Sequence, residues 1–106
     1  MSRLLENFKN MLEKDSSNPL LHYSLGNEYF KIEDFNNAET HLRRAVELSP
    51  DYSAAWKILG KVLSANNRFE EAVSVLSKGI EIAEGKGDIQ AAKEMKVFLK
   101  RANKHL

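Results

Sequence analysis

The sequence predicts an all-α protein built from repeated pairs of antiparallel helices. The chain matches itself at a fixed shift along the sequence, and its apolar residues recur three and four positions apart, as on a helix with one buried face. No stretch alternates apolar and polar residues with β-branched side chains, as a strand would. With 106 residues, 42% hydrophobic and 29% charged, the chain has the size of one small globular domain.

The 34-residue period divides the chain into two units, 19–52 and 53–86. It superimposes Gly26 on Gly60, each in the middle of a predicted helix, where glycine costs about 1 kcal/mol relative to alanine. We therefore expect another helix to approach these glycines closely, with Ala38 and Ala72 as the facing small residues. The period also pairs Leu25 with Leu59, Phe35 with Phe69, Leu42 with Leu76 and Glu47 with Glu81.

Each unit is predicted to be a helix pair with recognisable ends. Asn18 before Pro19 is typical of a helix N-cap followed by a first-turn proline, and Ser53 is expected to cap the second unit. Residues 33–34 and 65–67 supply the turns within the pairs. Tyr29, Phe35 and Phe69 are expected in the core.

Additional helices are predicted at both ends. Residues 2–14 fit the period as the second helix of an incomplete pair, and residues 88–105 match at a shift of 36, with Asp88 as the N-cap. Lys96 replaces the glycine of the other units, so no further helix should pack there and this helix should close the stack. Its expected inner stripe is Ile89, Ala92, Met95, Leu99 and Ala102.

The pattern resembles the tetratricopeptide repeat, a 34-residue helix-turn-helix unit with the signature W-x2-L-G-x2-Y, then A-x3-F, then P. Five positions depart from it: His22 replaces the tryptophan, Leu63 the tyrosine, Leu42 and Leu76 the phenylalanine, and Glu84 the second proline. The signature positions of the first unit are His22, Leu25, Gly26, Tyr29, Ala38, Leu42, Ala45 and Pro50, and those of the second are Trp56, Leu59, Gly60, Leu63, Ala72, Leu76 and Gly79.

The resemblance implies a single domain over residues 1–106, folded as a right-handed α-solenoid whose first helices line a concave peptide-binding groove. The groove positions of the family fall on Tyr23, Asn27, Phe30 and Lys31 in the first unit, on Lys57, Lys61 and Ser64 in the second, and on Lys93, Val97 and Lys100 in the terminal helix. The groove would be basic at one end and aromatic at the other.

Some members of the family hold a C-terminal carboxylate with a clamp of lysine, asparagine and arginine. Asn27 matches one clamp position, but Tyr23 and Ile58 replace the lysine and the second asparagine, so the full clamp is absent. Recognition of acidic side chains or a carboxylate by Lys57, Lys61 and Lys93 stays open, because no acid of the same unit is expected to face these lysines.

No residue pattern indicates catalysis or a bound cofactor. The three histidines are far apart in sequence and without i, i+4 pairing, which disfavours a metal site, and His41 and His105 are expected to be exposed. The acidic pairs Glu33-Asp34 and Glu70-Glu71 flank turns and are interpreted as first-turn acids that complement a helix N-terminus.

Charge and composition exclude several classes of protein. Without cysteine, disulfides and thiolate chemistry are ruled out. The formal net charge is +1, with +4 in residues 91–106 and −3 in the rest, so any basic surface is local. No apolar run is long enough for a membrane span, and a cytoplasmic location is expected.

We therefore predict a non-catalytic interaction module, without cofactor or metal, that binds a peptide segment of a partner protein, with an acidic or carboxylate-bearing segment as a candidate. An alternative is self-assembly into a weak homodimer through residues 2–14, where Leu4, Leu5 or Phe8 would be partly exposed. A weaker alternative is nucleic-acid binding through the basic terminal helix, which has few exposed aromatic residues for stacking.

Overall fold

A computed structural model describes residues 3–106, and in this part of the chain all regular structure is helical. Six helices follow one another, which confirms the all-α prediction. The starts of α2 and α4, and those of α3 and α5, follow the predicted period, whereas α6 starts slightly later than the period would place it. The helices are α1 (Arg3–Lys14), α2 (Pro19–Lys31), α3 (Phe35–Leu48), α4 (Ser53–Ala65), α5 (Phe69–Gly85) and α6 (Ile89–Asn103).

The helices form two compact units, one ending at Pro50 and one spanning Asp51–Leu106. In the first unit α2 packs on α3 and α1 packs on α2. In the second unit α5 packs on both α4 and α6, and α4 also contacts α6. The core of the second unit includes Leu76, Ala83 and Met95, with Trp56 and Leu99 packed against it.

Side chains cap three of the helices. Asn18 Oδ1 accepts hydrogen bonds from the amides of Leu20 (2.9 Å) and Leu21 (3.3 Å), and Pro19 begins α2 as predicted. Asp34 caps α3 and Asp88 caps α6, the latter by accepting from the amide of Ala91 at 3.3 Å. Each cap satisfies an amide that has no partner within its own helix.

The predicted cap at Ser53 is wrong. Tyr52 is the N-cap of α4 and makes no side-chain capping bond, while Ser53 is the first helical residue. A side chain already inside the first turn cannot reach the second or third helical amide. The Ser53 hydroxyl is instead buried, and within residues 3–106 it has no hydrogen-bond partner.

Three side chains predicted to be buried are more exposed than expected, and each is the first residue of a helix. Ile89 is 55% exposed, and Phe35 and Phe69 are half-buried. Helical side chains tilt toward the N-terminus, so the side chain of a first residue points past the end of its helix. The other members of the predicted α6 stripe, Ala92, Met95, Leu99 and Ala102, are buried or half-buried.

The face of α1 predicted for self-association differs from expectation at Leu5, which is only 1% exposed. Leu4 is 46% exposed and Phe8 is half-buried. Of the predicted half-repeat, Ser2 lies outside the described residues. Self-association through this helix stays a prediction.

The two mid-helix glycines lie at close helix contacts, but leucines rather than alanines face them. A Cβ atom at Gly26 would lie 2.5 Å from Leu42 Cγ, and Ala38 contributes only its carbonyl oxygen at 3.2 Å. A Cβ atom at Gly60 would lie 2.5 Å from Leu76 Cγ. Both leucines are completely buried, so neither can move aside without disturbing the core.

We expect Gly60→Ala to destabilise the protein although alanine favours helices. The gain in helix propensity of about 1 kcal/mol is outweighed by overlap with Leu76, since overpacking a core costs about 1 to 3 kcal/mol. The midpoint of thermal unfolding, followed by circular dichroism, should fall by about 4 °C or more.

The matched control is Gly85→Ala, because a Cβ atom at this helical glycine would have nothing within 4 Å. Its unfolding midpoint should equal or exceed that of the wild type. If Gly60→Ala is as stable as Gly85→Ala, the contact between Gly60 and Leu76 is not tight.

Candidate peptide-binding surfaces

The four groove positions predicted in the first unit all lie on α2. Tyr23, Asn27 and Phe30 are half-buried, and the Phe30 ring lies 6.0 Å from the ring of Phe35. Lys31 is exposed, but its Nζ atom pairs with Glu28 Oε1 at 3.1 Å. The α2 face, defined by Tyr23, Asn27, Phe30 and Lys31, is therefore aromatic and amide in character, and its one cation has an intrahelical partner.

The other six predicted groove positions, three of the second repeat and three of the terminal helix, lie on α4 and α6, two helices in contact. We call this surface the α4–α6 face. Lys93 and Lys100 are exposed, Val97 is 48% exposed, and Lys57, Lys61 and Ser64 are half-buried. The two helices together carry a single acidic residue, Glu94.

Lys57 is paired with an acid from outside its own repeat unit. Its Nζ atom lies 3.4 Å from Glu94 Oε1. Glu94 lies on α6, beyond the repeat unit 53–86 for which no facing acid was predicted. Because the two side chains are 22% and 40% exposed, water screens the pair and its contribution to stability is small.

The centre of the α4–α6 face is the ring of Phe98, with a cation from each helix. Lys61 Nζ lies 5.2 Å from the ring centroid, and Arg101 Cζ lies 5.8 Å from it. Cations at such distances from an aromatic ring are attracted by its negative face. The prediction from sequence missed Phe98, Arg101 and Glu94, although the (i, i+3) spacing of Phe98 and Arg101 on one helix was a signal that could have found these two.

Ser64 lies at one end of this face, beside a surface cavity of about 340 Å³. Arg101 lines the same cavity, and so does His105, whose ring stacks on Phe69 at a centroid distance of 4.1 Å. His105 is exposed, as predicted. The cavity adds room for a side chain next to the cationic centre of the face.

His41 was predicted to be exposed, but it is half-buried. It lies on α3 and pairs with His22 of α2. The two Nδ1 atoms lie 3.1 Å apart, and the His22 Nε2 atom lies 2.8 Å from the carbonyl oxygen of Ser16. The His41 ring stacks on the rings of His22 and Tyr29, with centroid distances of 5.3 and 5.7 Å. The wide separation of the two histidines along the sequence concealed this contact.

Burial is the main cause that lowers the pKa of His41 below its ordinary value, and the electrostatic effects of His22 and Lys9 lower it further. His22 is on α2 and Lys9 on α1, so both neighbouring helices disfavour protonation of His41. The folded chain therefore favours the neutral imidazole at this position.

The chain is similar along most of its length to known repeat proteins. The tetratricopeptide repeat family matches residues 23–89. The TPR repeat-containing protein PA0015 of Pseudomonas aeruginosa is 40% identical over 101 residues, which cover 95% of this chain and 96% of that protein. The chain belongs to the tetratricopeptide repeat family.

Solved structures share the fold of this tetratricopeptide repeat protein. The solution structure of BPP2914 from Bordetella parapertussis has a TM-score of 0.85 and 38% identity, covering 98% of this chain and 90% of that one. The first TPR of Spaghetti (RPAP3), bound to the HSP90 peptide SRMEEVD, has a TM-score of 0.84 and 22% identity. The match covers 94% of this chain and 75% of that one.

The described part of this tetratricopeptide repeat protein contains neither a membrane-spanning helix nor a cluster of three metal ligands. Within residues 3–106, no helix combines the length and apolar character needed to cross a bilayer. The same residues contain no group of three or more histidine, cysteine or acidic side chains arranged to hold a metal ion.

The lowered pKa of His41 makes stability depend on pH. In the unfolded chain the histidine titrates near its ordinary value of about 6.5, whereas the folded chain takes up that proton only at a lower pH. Between the two values the unfolded state binds more protons, so the free energy of unfolding falls as the pH drops below about 6.5.

We expect His41→Gln to flatten this dependence, because glutamine does not titrate. Denaturant unfolding from pH 7.5 to pH 5, with EDTA present, measures the free energy of unfolding at each pH. One histidine changes this free energy by at most about 1.4 kcal/mol per pH unit. His105→Gln is the control and should keep the wild-type slope. Equal slopes for the wild type and His41→Gln would show that His41 is not the group responsible.

Proposed function

We propose that the protein is a non-catalytic interaction module that binds an acidic peptide segment of a partner protein on its α4–α6 face. Membership of a family whose solved relatives include a peptide-bound domain supports the general role. The observation that carries the specific proposal is the Phe98 ring with cations from two helices, Lys61 and Arg101, directed at it.

The charge balance of the face favours an acidic ligand. Its cations are Lys57, Lys61, Lys93, Lys100 and Arg101, and its single carboxylate is that of Glu94, which gives a formal charge of +4. Lys96, on the same helix, pairs instead with Glu84 of α5 at 2.9 Å. A ligand with several carboxylates would relieve the repulsion among these cations.

An apolar contact accompanies the charges. Val97 is 48% exposed beside Phe98 in the sequence, and Ser64 borders the cavity of about 340 Å³. A peptide that alternates acidic and small apolar side chains would satisfy both features, with carboxylates near Lys61 and Arg101 and an apolar group against Val97. The groove positions Tyr23, Asn27, Phe30 and Lys31 of the α2 face stay a separate prediction for the first unit.

The peptide SRMEEVD, which the Spaghetti domain binds, is a suitable probe because three of its seven side chains are acidic. We expect it to bind with a micromolar dissociation constant that weakens with salt, since each exposed ionic contact contributes about 1 kcal/mol or less. The analogue SRMQQVN, amidated at its C-terminus so that it carries no carboxylate, should bind at least about tenfold more weakly. Fluorescence anisotropy at two salt concentrations measures both.

The double variant Lys61→Glu, Arg101→Glu should weaken binding of SRMEEVD by about tenfold or more, because it replaces two attractive contacts by repulsive ones. The control is Lys14→Glu, Lys78→Glu, which makes the same change in net charge at two exposed lysines of α1 and α5. If both double variants lose the same affinity, binding depends on net charge and not on the α4–α6 face.

Glu94→Gln should have the opposite effect. Removing the only carboxylate of the face leaves Lys57 without its partner at 3.4 Å and available to the peptide. We expect the dissociation constant for SRMEEVD to fall about two- to fivefold, the effect of one exposed ion pair. An unchanged or higher constant would place the acidic segment away from Lys57.

A cytoplasmic location stays a prediction from the sequence and is part of this proposal.

A further inference from the structure

The pair of His22 and His41 lies in the first unit and takes no part in the proposed peptide contacts. We propose that these two histidines bind a divalent transition-metal ion of the Zn²⁺ type through their Nδ1 atoms, with water completing the coordination. The two atoms are 3.1 Å apart. With metal–nitrogen distances of about 2.0–2.1 Å, two nitrogens on one square-planar or tetrahedral ion are separated by roughly 2.8–3.4 Å.

The hydrogen bonding of His22 prepares its Nδ1 atom for this role. Its Nε2 atom is 2.8 Å from the Ser16 carbonyl oxygen, which can only accept, so Nε2 carries the proton. In neutral His22 the lone pair is then on Nδ1, directed to the site shared with His41. Histidines that bind metals donate their other ring N–H to a carbonyl or carboxylate in this way, which fixes the tautomer and the ring orientation.

The surroundings of His41 also suit a metal ligand. A metal-binding imidazole is held in a fixed orientation by its neighbours. The Tyr29 ring lies nearly parallel to the His41 ring, at 8° and 5.7 Å, and restricts its orientation. The half-buried position leaves a route from solvent.

One nearby group opposes the ion. Lys9 of α1 lies 5.8 Å from the Tyr29 ring centroid, and its charge acts on His41. The charge of Lys9 and the presence of only two protein ligands both weaken metal binding. The site is therefore a weak, exchangeable one, unlike structural zinc sites, which have four protein ligands.

Binding requires a change of tautomer at His41. Without metal, the Nδ1 proton of His41 forms the hydrogen bond to His22 Nδ1. When the ion enters, this proton leaves Nδ1 and Nε2 takes up one from solvent, so the imidazole stays neutral and no net proton is released. Long-range ¹H–¹⁵N spectra of the imidazole rings report the protonation of each ring nitrogen directly.

The decisive experiment is a Zn²⁺ titration of the wild-type full chain at pH 7.4, without tags, followed by these spectra. We expect shifts of the Nδ1 resonances of His22 and His41 and the appearance of the Nε2–H tautomer of His41, while His105 stays unchanged. A titration in which His22 and His41 do not shift, or shift no more than His105, would overturn the proposal, and it requires no substitution that could affect folding.

Competition against a chromogenic chelator measures the affinity of variants. His41→Gln should weaken Zn²⁺ binding about tenfold or more, whereas His105→Gln, the control at an exposed histidine, should bind as the wild type does. Lys9→Gln should strengthen binding severalfold by removing the opposing charge. Unchanged affinity in His41→Gln, or equal losses in the two histidine variants, would assign the zinc to other surface groups.

Discussion

The close contact between a glycine on one helix and a leucine on the next is the constraint on which the rest of the structure depends. Without a side chain at Gly26 or Gly60, Leu42 and Leu76 lie against helix backbone and are completely buried. This contact fixes both the distance and the rotation of the two helices in each pair. A third glycine, Gly79, extends the arrangement, because a Cβ atom there would lie 2.6 Å from Met95 Sδ and 2.8 Å from Trp56 Cβ. The position of α6 beside α4 therefore follows from the small residues of α5.

That position creates the cationic face. Lys61 and Phe98 are far apart in the sequence, and they meet only because α4 and α6 are in contact. Like charges on neighbouring helices destabilise a fold unless acids or aromatic rings compensate them, and here Glu94 and Phe98 provide part of this compensation. The α4–α6 face keeps a formal charge of +4, so the repulsion among its cations is only partly compensated. A negatively charged ligand can supply the remaining compensation. The same argument explains why the α2 face, where Lys31 pairs with Glu28, has a different character.

The histidine pair shows how a buried polar group is accommodated at a position where the family signature has tryptophan. An imidazole at position 22 is 8% exposed and must satisfy two ring nitrogens, which it does with the Ser16 carbonyl and with His41. The polar substitution at one signature position is thus matched by a second polar residue on the facing helix. Stacking on the Tyr29 ring gives His41 an apolar contact while its Nδ1 atom faces His22.

The sequence by itself determined the number of helices, the period at which they repeat, the caps at Asn18 and Asp88, and the close contacts at Gly26 and Gly60. These features are local or repeat at a fixed interval, and backbone sterics and hydrogen bonding decide them within one or two turns. Only the tertiary structure decided that Lys57 is paired with Glu94, that Phe98 is the centre of the α4–α6 face, that His22 meets His41, and that Ile89, Phe35 and Phe69 point past their helix ends. Such contacts depend on the rotation and separation of two packed helices, and neither quantity is encoded in the spacing of residues along one helix.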